Sequence, residues 1–269
     1  MRNTLSSFCL CLVLAASSLT MGCHSSSDDA PQSGLLASIQ QRGYIRVGAT
    51  GDYPPLSYLN PETGEYEGFE TDLDKIIAAE LNVDLVFEPT TWPTINTDIL
   101  DASHFDIANC GITITDKRLQ TLDMSDGYIS NGKTIICRKE DASRFVCLDS
   151  INQEGVRVMV NPGGLNEKFA RENLTRTTIL VHEHNEEIPS LVADSIADLM
   201  VCEIVEAPFY AKTLPNISAP IVDKPFTSGQ IGILFRQDND DLKAFLNDLL
   251  DRMRQDGRMD SLKALHSIP

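Results

Sequence analysis

Residues 156–169 read VRVMVNPGGLNEKF, a strand-like run that passes through a glycine-rich turn into a helix-like run. Apart from Arg157, the run from Val156 to Val160 is apolar and rich in β-branched side chains, which is typical of a central parallel strand. Pro162 and the two glycines after it end this regularity, and we expect the turn to open a helix. A turn of this kind leaves backbone N–H groups at the positive end of a helix, where an anion can bind. A tight connection without a ligand gives the same pattern, so the turn alone does not establish a site.

Strand-like and helix-like segments alternate along the rest of the chain, which predicts an α/β fold. Besides the strand at 156–160, the patterns predict strands at 44–48, 84–88, 105–108 and 198–201. They predict helices at 71–81, with Thr71 as the N-cap, at 190–197 and at 242–253, and a loop that enters a helix at 92–100. No internal repeat or long linker is present, so a division into domains has to come from topology.

The composition excludes two classes of partner. The chain has 269 residues, with 22 Lys and Arg against 39 Asp and Glu, for a formal net charge of −17. Nucleic-acid binding rests on basic side chains that neutralise phosphates, so we expect no nucleic-acid partner. The same balance argues against docking on an anionic membrane surface through a basic face. Apolar residues make up 42%, and the length allows one large domain or two smaller ones.

The first 22 residues have the pattern of a signal peptide, with Arg2 ahead of an apolar run over residues 8–19. About a dozen apolar residues is short of the roughly 20 that a membrane-spanning helix needs. The run ends at Thr20-Met21-Gly22-Cys23, which resembles a bacterial lipoprotein signal whose cysteine becomes lipidated. Ordinary signal cleavage is the alternative, and residues 23–33 form a polar tether. Both routes predict an exported, periplasmic protein, and the first adds a lipid anchor at Cys23.

The cysteines that follow do not have the spacing of a zinc site, and we expect no metal. Cys137 and Cys147 are ten residues apart and could form a disulfide in an oxidising compartment. Cys110 and Cys202 have apolar neighbours, which predicts buried thiols.

Two further clusters carry side chains suited to chemistry. Thr113 and Arg118 follow the predicted strand at 105–108, and the planar guanidinium of Arg118 is suited to bind a carboxylate. A surface arginine after a strand fits this pattern equally well. Glu203 and Glu206 follow the predicted strand at 198–201, and they would share a face if a helix began there. Two solvated glutamates are the alternative.

Motifs over nearly all of the chain after the tether resemble the exported solute-binding proteins for polar amino acids, family 3. The segments that carry the resemblance are Ile45-Arg46-Val47-Gly48, residues 66–73, residues 105–108, residues 111–115, Arg118 and Asp256-Gly257. The resemblance implies a periplasmic-binding-protein type II fold, in which two α/β lobes are joined by two crossover strands and hold a ligand in the cleft between them. It implies a first lobe of residues 34–133 plus 223–269 and a second lobe of residues 134–222.

Within that family the chain is most similar to the cyclohexadienyl dehydratases, periplasmic enzymes that evolved from such binding proteins. The matching segments are residues 50–53, 91–93, 126–128, 132–134, 161–164, 166–171, 179–182, 197–200 and 206–207. The resemblance implies a carbon–oxygen lyase without a cofactor. It would convert prephenate to phenylpyruvate, arogenate to phenylalanine, or both, with loss of water and carbon dioxide. An amino-acid receptor of an ABC transporter, without catalysis, is the alternative.

The resemblance also implies roles for individual residues. Glu206 is the expected general acid, and burial beside Glu203 would raise its pKa so that it can donate a proton near neutral pH. The expected substrate-binding residues are Tyr53, Trp92, Cys110, Thr113, Arg118, Asn161, Gly164, Leu165, Asn166 and Glu203. Three of them depart from the family pattern, since Leu165 replaces the usual Thr, Glu203 the usual Asp, and Cys110 the usual Ser or Ala. These departures are consistent with a changed choice of substrate or with a non-catalytic relative.

Overall fold

The computed structural model describes residues 34–268. The predicted signal peptide over residues 1–22, Cys23, and the tether up to residue 33 lie outside the described residues. The strands are β1 (Tyr44–Ala49), β2 (Asp52–Tyr53), β3 (Ser57–Leu59), β4 (Tyr66–Glu67), β5 (Asp84–Pro89), β6 (Ile107–Ala108), β7 (Leu122–Met124), β8 (Ile129–Asn131), β9 (Lys133–Arg138), β10 (Arg157–Val160), β11 (Thr178–Val181), β12 (Leu199–Glu203), β13 (Ile217–Ser218), β14 (Gly229–Ile231) and β15 (Leu234–Arg236). The helices are α1 (Leu35–Arg42), α2 (Phe69–Leu81), α3 (Ile95–Asp98), α4 (Asp116–Leu119), α5 (Leu148–Ile151), α6 (Leu165–Asn173), α7 (Ile188–Ala193), α8 (Ala207–Thr213), α9 (Asp240–Gln255) and α10 (Arg258–Leu265), with short 3₁₀ turns at Lys139–Asp141 and Asn185–Glu187.

Two five-stranded sheets form the framework and confirm the predicted α/β fold. The first sheet has the order β5-β1-β6-β15-β7, in which β5, β1 and β6 are parallel and β15 is antiparallel to both of its neighbours. The second has the order β11-β10-β12-β9-β13. β10 lies between two parallel neighbours in that sheet, which confirms residues 156–160 as a central parallel strand.

The chain crosses twice between the two sheets. It leaves the first sheet after β7 and enters the second through β8, and it returns after β13 through β14 to β15. The two crossing strands pair antiparallel, with Asn131 opposite Gly229 and Ile129 opposite Ile231. This topology agrees with the crossover strands that the family resemblance implies. The residue bounds of the two lobes stay a prediction.

The central strands of each sheet are buried on both faces. Alternate residues of β10 enter different cores: Val158 and Val160 pack in one cluster, and Met159 packs in another. This alternation follows from the two-residue period of a strand, and a strand with two buried faces is apolar throughout. On the first sheet, one face is covered by the apolar sides of α1, α2, α9 and α10. Helix α9 confirms the helix predicted at 242–253.

Two helix boundaries differ from the sequence prediction. Helix α2 begins at Phe69, and Thr71 lies within its first turn rather than at the N-cap. The backbone carbonyls of the preceding loop take over the capping, because the amide of Phe69 donates to Pro55 and the next amide donates to Leu56. The helix predicted at 190–197 is displaced towards the N-terminus, as α7 at Ile188–Ala193. Pro189 favours its early start, and Ser195, with a φ of +63°, lies beyond its end.

A buried polar network lies between α2 and the first crossover. The Asn109 amide donates to Asp74 at 2.8 Å, and the Tyr128 hydroxyl hydrogen-bonds to both Asn109 Oδ1 and Glu70 Oε1. The hydroxyl has one proton for two acceptors, so the network is satisfied when Glu70 is protonated. Burial raises the pKa of Glu70 from 4.5 to about 7. The hydrogen bond with Tyr128 acts in the opposite direction and is the smaller effect.

The substitution Glu70→Gln should reduce the pH dependence of stability. A carboxyl whose pKa is raised on folding stabilises the folded state fully below its unfolded pKa of 4.5, and this contribution is lost as the pH rises through about 7. The loss amounts to roughly 3 kcal/mol for this group. Urea unfolding at these two pH values should show a smaller decline in the free energy of unfolding for the variant than for the wild type. The exposed Glu65→Gln is the matched control, and equal declines in all three proteins would contradict the protonated network.

Candidate active site

A cavity of about 370 Å³ is lined by residues from both halves of the fold, where the first half is the part built around the first sheet and the second half is the part built around the second sheet. Lys133, the last residue of the predicted first lobe, lies in β9 and so belongs to the second half. Its lining residues are Tyr53, Trp92, Gly111, Thr113 and Arg118 from the first half and Lys133, Asn161, Gly164, Leu165, Asn166, Asn185 and Glu203 from the second. Several of them directly follow parallel strands, or end one, as is usual for ligand sites in α/β folds. Nine of the eleven predicted site residues lie in this wall, and the structure brings them together from segments that are far apart in sequence.

Arg118 is fixed by protein groups that leave its charge unpaired. It lies in α4, where its backbone amide donates to the N-cap side chain of Thr115. Its Nε donates to Asn96 Oδ1 at 3.1 Å and its Nη1 to the Thr113 carbonyl at 2.6 Å. Within residues 34–268 no carboxylate lies in ion-pair contact with it, and burial lowers its pKa without removing the proton. A half-buried guanidinium with unused donors is suited to receive a ligand carboxylate.

The glycine-rich turn faces the first half of the fold. Gly163 has a φ of +75°, and a Cβ there would come within 2.7 Å of the Pro93 ring, so a side chain is excluded. Gly164 precedes α6, and the amides of Leu165 and Asn166 lie in the first turn of that helix, where intrahelical acceptors are absent. The Gly163 amide donates to Glu167 Oε2 at 2.7 Å. The turn therefore keeps amide donors beside the cavity, as its sequence indicates.

The buried ion pair between Lys133 and Glu203 forms part of the cavity wall. The two residues are register partners at the ends of β9 and β12. Lys133 Nζ binds Glu203 Oε1 and also donates to Asn166 Oδ1 at 2.7 Å. From the other half of the fold, the Tyr53 hydroxyl donates to Glu203 Oε2. Burial raises the pKa of Glu203, but the Lys133 ammonium and the hydrogen bonds outweigh it, so the pKa lies below its usual range and the carboxylate is ionised.

Glu206 is a buried and neutral carboxyl next to this ion pair. Its Oε1 accepts a hydrogen bond from the Glu203 amide at 3.0 Å, and its Oε2 has no hydrogen-bond partner. Burial and the nearby Glu203 charge raise its pKa well above the usual range. The two glutamates do not share a helix face, since Glu203 ends β12 and Glu206 immediately precedes α8. Two neighbouring carboxyls with pKa values shifted in opposite directions are typical of acid–base chemistry.

Two of the predicted site residues do not reach the cavity wall, and sequence reasoning missed three that do. Glu206 lies behind the wall, and so does Cys110, which is fully buried beside Gly111. The residues missed are Gly111, Lys133 and Asn185. A lysine two residues before the apolar run Ile135-Ile136-Cys137 was the available signal for Lys133. The roles of all these residues in binding stay predictions.

Two aromatic residues and an asparagine close one side of the cavity. Trp92 and Tyr53 meet edge to face, with ring centroids 5.8 Å apart. The Trp92 indole N–H donates to the Asp52 carboxylate at 3.0 Å. Asn185, from the second half, donates to the Asp52 carbonyl at 3.1 Å. Together with the Tyr53–Glu203 bond, this contact ties the two halves across the cavity.

A second, wider cavity of about 1010 Å³ adjoins the first at Arg118, Gly164 and Leu165. Its wall carries the basic residues Lys117, Arg118 and Lys168 and no acidic residue. The approach to the Arg118 side of the site is therefore basic in a protein whose formal charge is −17.

The remaining sequence expectations concern cysteines, metals and membranes. Cys137 and Cys147 are both free thiols, the first buried and the second exposed, so the disulfide considered above does not form. Cys110 and Cys202 are buried, as predicted. Among residues 34–268, no three His, Cys, Asp or Glu side chains are grouped so that they could hold a metal ion. None of the helices described has the length and apolar character needed to cross a membrane.

Known proteins with similar sequences and structures agree on the family. The chain is 40% identical over 207 residues to a cyclohexadienyl dehydratase of Pseudomonas aeruginosa, which covers 77% of this chain and 76% of that protein. It is 26% identical over 230 residues to an L-cystine-binding protein of Escherichia coli, with coverage of 85% and 84%.

Solved structures lead to the same group. An ancestral amino-acid-binding protein described as a precursor of cyclohexadienyl dehydratase superposes with a TM-score of 0.79 at 34% identity and covers 86% of this chain and 98% of its own. An ancestral cyclohexadienyl dehydratase gives a TM-score of 0.54 at 45% identity, with coverage of 87% and 96%. The family model of the bacterial extracellular solute-binding proteins, family 3, matches residues 45–266. By its sequence, its two crossing strands and its cleft, the chain belongs to the bacterial extracellular solute-binding proteins of family 3.

Proposed function

We propose that this protein is a cyclohexadienyl dehydratase, a lyase that removes water and carbon dioxide from prephenate to give phenylpyruvate, from arogenate to give phenylalanine, or from both. The observation that carries the proposal is the neutral Glu206 carboxyl beside the ionised Glu203, next to a cavity that holds an unpaired guanidinium. A carrier needs the guanidinium to bind a carboxylate, but it has no use for a buried acid that keeps its proton. The similarity to the Pseudomonas aeruginosa dehydratase supports the same conclusion.

The reaction needs one proton from a general acid and no other chemical group from the protein. The bond between the ring and its carboxylate breaks, carbon dioxide leaves, and the electron pair completes the aromatic ring. The ring hydroxyl departs with its own bonding pair, and a general acid must protonate it, because hydroxide is a poor leaving group near neutral pH. A positioned acid of this kind accelerates a reaction by typically 10²–10⁴-fold.

We assign the general acid to Glu206. In this step its carboxyl has to turn from its position behind Glu203 into the cavity. Only Oε1 is hydrogen-bonded, to one backbone amide, so the turn breaks a single hydrogen bond. The proton of the neutral carboxyl has no acceptor at Oε2 within the described part of the chain, which leaves it available for the departing hydroxyl.

The carboxylates of the substrate would be held from both halves of the cavity. Arg118 binds one of them through its unused donors, and Thr113 adds a hydroxyl beside it. The amides that begin α6 bind from the opposite side, and the Asn161 side chain orients the ring hydroxyl. Leu165, in place of the usual threonine, contributes its backbone amide but no side-chain donor. Trp92 and Tyr53 pack against the ring.

The name of the family describes extracellular proteins, and we propose that this member acts in the periplasm. Residues 1–22 would act as the signal peptide, and Cys23 would carry a lipid anchor.

A receptor for an ABC transporter is the second candidate, because the L-cystine-binding protein of Escherichia coli is a relative over most of the chain. The two functions differ in what happens to the bound molecule. A receptor binds an amino acid tightly and releases it unchanged, which a thermal-shift panel with product analysis would detect.

The substitution Glu206→Gln should reduce turnover of prephenate by at least about a hundredfold, since an amide cannot donate the proton of a carboxylic acid. Binding should persist, because the amide can keep the hydrogen bond from the Glu203 backbone. Phenylpyruvate release, followed by its enolate absorbance, measures the first effect, and calorimetry with prephenate measures the second. The exposed Glu183→Gln should behave as the wild type. The proposal fails if the wild-type protein does not exceed the spontaneous rate, or if Glu206→Gln keeps full turnover.

The substitution Arg118→Gln should raise KM for prephenate by roughly tenfold to a hundredfold, because a charge-assisted pair with a substrate carboxylate is lost. Lys117→Gln removes the same charge from the neighbouring residue of α4 and should change KM much less. Equal increases in the two variants would show that general electrostatics, rather than direct contact with Arg118, governs binding.

A further inference from the structure

The proposed reaction takes one proton from the protein in every turnover. The ring carboxylate leaves as neutral carbon dioxide and the hydroxyl leaves as water, so the proton that balances the lost negative charge comes from Glu206. Glu206 is then a carboxylate beside the ionised Glu203, and it has no exposed surface. The next turnover requires a proton from solvent, and this proton has to reach a fully enclosed side chain.

Tyr210 lies one helical turn from Glu206. Its backbone amide donates to the Glu206 carbonyl at 3.2 Å, and its ring packs in a core cluster with Cys202 and Ala207. The residue is 4% exposed, and its hydroxyl is buried without a hydrogen-bond partner among residues 34–268. After burial, the charge of Glu206 is the largest cause of the raised pKa of this hydroxyl. A hydroxyl with unused donor and acceptor capacity therefore lies beside the general acid.

Glu186 connects the same region of the protein to solvent. Its Oε1 lies 3.7 Å from Nδ1 of the exposed His184, whereas its Oε2 is buried and has no hydrogen-bond partner in the described part of the chain. The 3₁₀ turn that carries Glu186 is held against β2, because the Asn185 amide donates to the Asp52 carbonyl at 3.1 Å. One oxygen of the carboxyl therefore faces an exposed residue, and the other is enclosed by the protein.

Glu186, Tyr210 and Glu206 share Asp52 as a neighbour. Burial is the main cause of the raised pKa of all three side chains, and the charge of Asp52 contributes to each. Both oxygens of Asp52 accept the Trp92 indole N–H, whereas Glu186 and Glu206 each keep one oxygen without a partner in the described residues. The pKa is raised at Glu186 and raised further at Glu206. A proton that enters at Glu186 therefore moves to the group that holds it more strongly.

We propose that Glu186 and Tyr210 return a proton from solvent to Glu206 after each turnover. The proton enters at Glu186, whose side chain is partly exposed. The Tyr210 hydroxyl gives its own proton to the Glu206 carboxylate and takes another from the Glu186 side, so it is unchanged at the end. The transfers between these groups pass through bridging water, since no direct hydrogen bond joins them. This inference rests on the proposed function, in which Glu206 is the general acid.

The first test follows the proton of Glu206 and needs no substrate. The infrared C=O band of this neutral carboxyl is the band that Glu206→Gln removes, and it shifts when the proton is replaced by deuterium. After rapid transfer to D₂O, the shift should be slower in Tyr210→Phe and in Glu186→Gln than in the wild type, by on the order of tenfold or more. The exposed residues Tyr44 and Glu187 provide the matched controls. Tyr44→Phe and Glu187→Gln should exchange at the wild-type rate.

The second test uses turnover and separates proton return from structural damage. Glu206 is already protonated before the first turnover, so Tyr210→Phe and Glu186→Gln should complete one turnover at the wild-type rate. The steady-state rate that follows should be lower by on the order of tenfold, which appears as a burst of about one product molecule per enzyme. A variant with a distorted site is slow from the first turnover and shows no burst.

The two tests separate this inference from the proposed function. If the wild type acts on neither prephenate nor arogenate but both variants slow the exchange, the proton path to Glu206 is supported while the proposed function fails. If Tyr210→Phe and Glu186→Gln exchange as fast as the wild type, the inference is overturned, and an active enzyme then regains its proton through the cavity. The inference is also overturned if Glu206→Gln removes no band, because Glu206 then holds no proton to replace.

Discussion

The carboxylate of Glu203 is the point on which the site depends. It is held by Lys133 within the second sheet and by Tyr53 from the first half of the fold, so one charge joins the two halves of the cleft. Because this group is ionised, its neighbour cannot easily ionise as well, and burial adds to the effect at Glu206. The ionised Glu203 therefore accepts a hydrogen bond from the other half of the fold and raises the pKa of the second carboxyl.

The same arrangement explains how a very acidic protein can receive an anion. The formal charge of −17 is distributed over the whole chain, whereas the two adjoining cavities are lined by basic residues, with Glu203 as the one acidic member. Charges on a protein surface are screened over about 8 Å in physiological salt, so distant carboxylates matter less than the groups in contact with the ligand. A few basic side chains in contact with the ligand therefore outweigh the negative net charge of the whole chain.

The parts that the sequence predicts correctly are those that local patterns determine. The β-branched run at 156–160 indicates a central strand, the repeat at 242–253 indicates α9, and the glycine turn indicates free amides before α6. Lys133 escapes such reasoning because its partner is 70 residues away and is set by strand register. The burial of Glu206, in the connection between β12 and α8, likewise depends on tertiary packing, and the start of α2 depends on carbonyls supplied by a preceding loop.

The double crossing of the chain also has a consequence for the order of folding. All strands of the second sheet come from one continuous stretch that ends with β13 at Ser218, so this sheet can assemble as soon as that stretch is available. The first sheet lacks β15, which belongs between β6 and β7, until residue 234 has been added. Contacts between distant segments form slowly, because the intervening chain must first be brought together. The first sheet, which contains β1, the first strand described, is therefore completed last. The cleft between the two sheets forms only when β15 is in place.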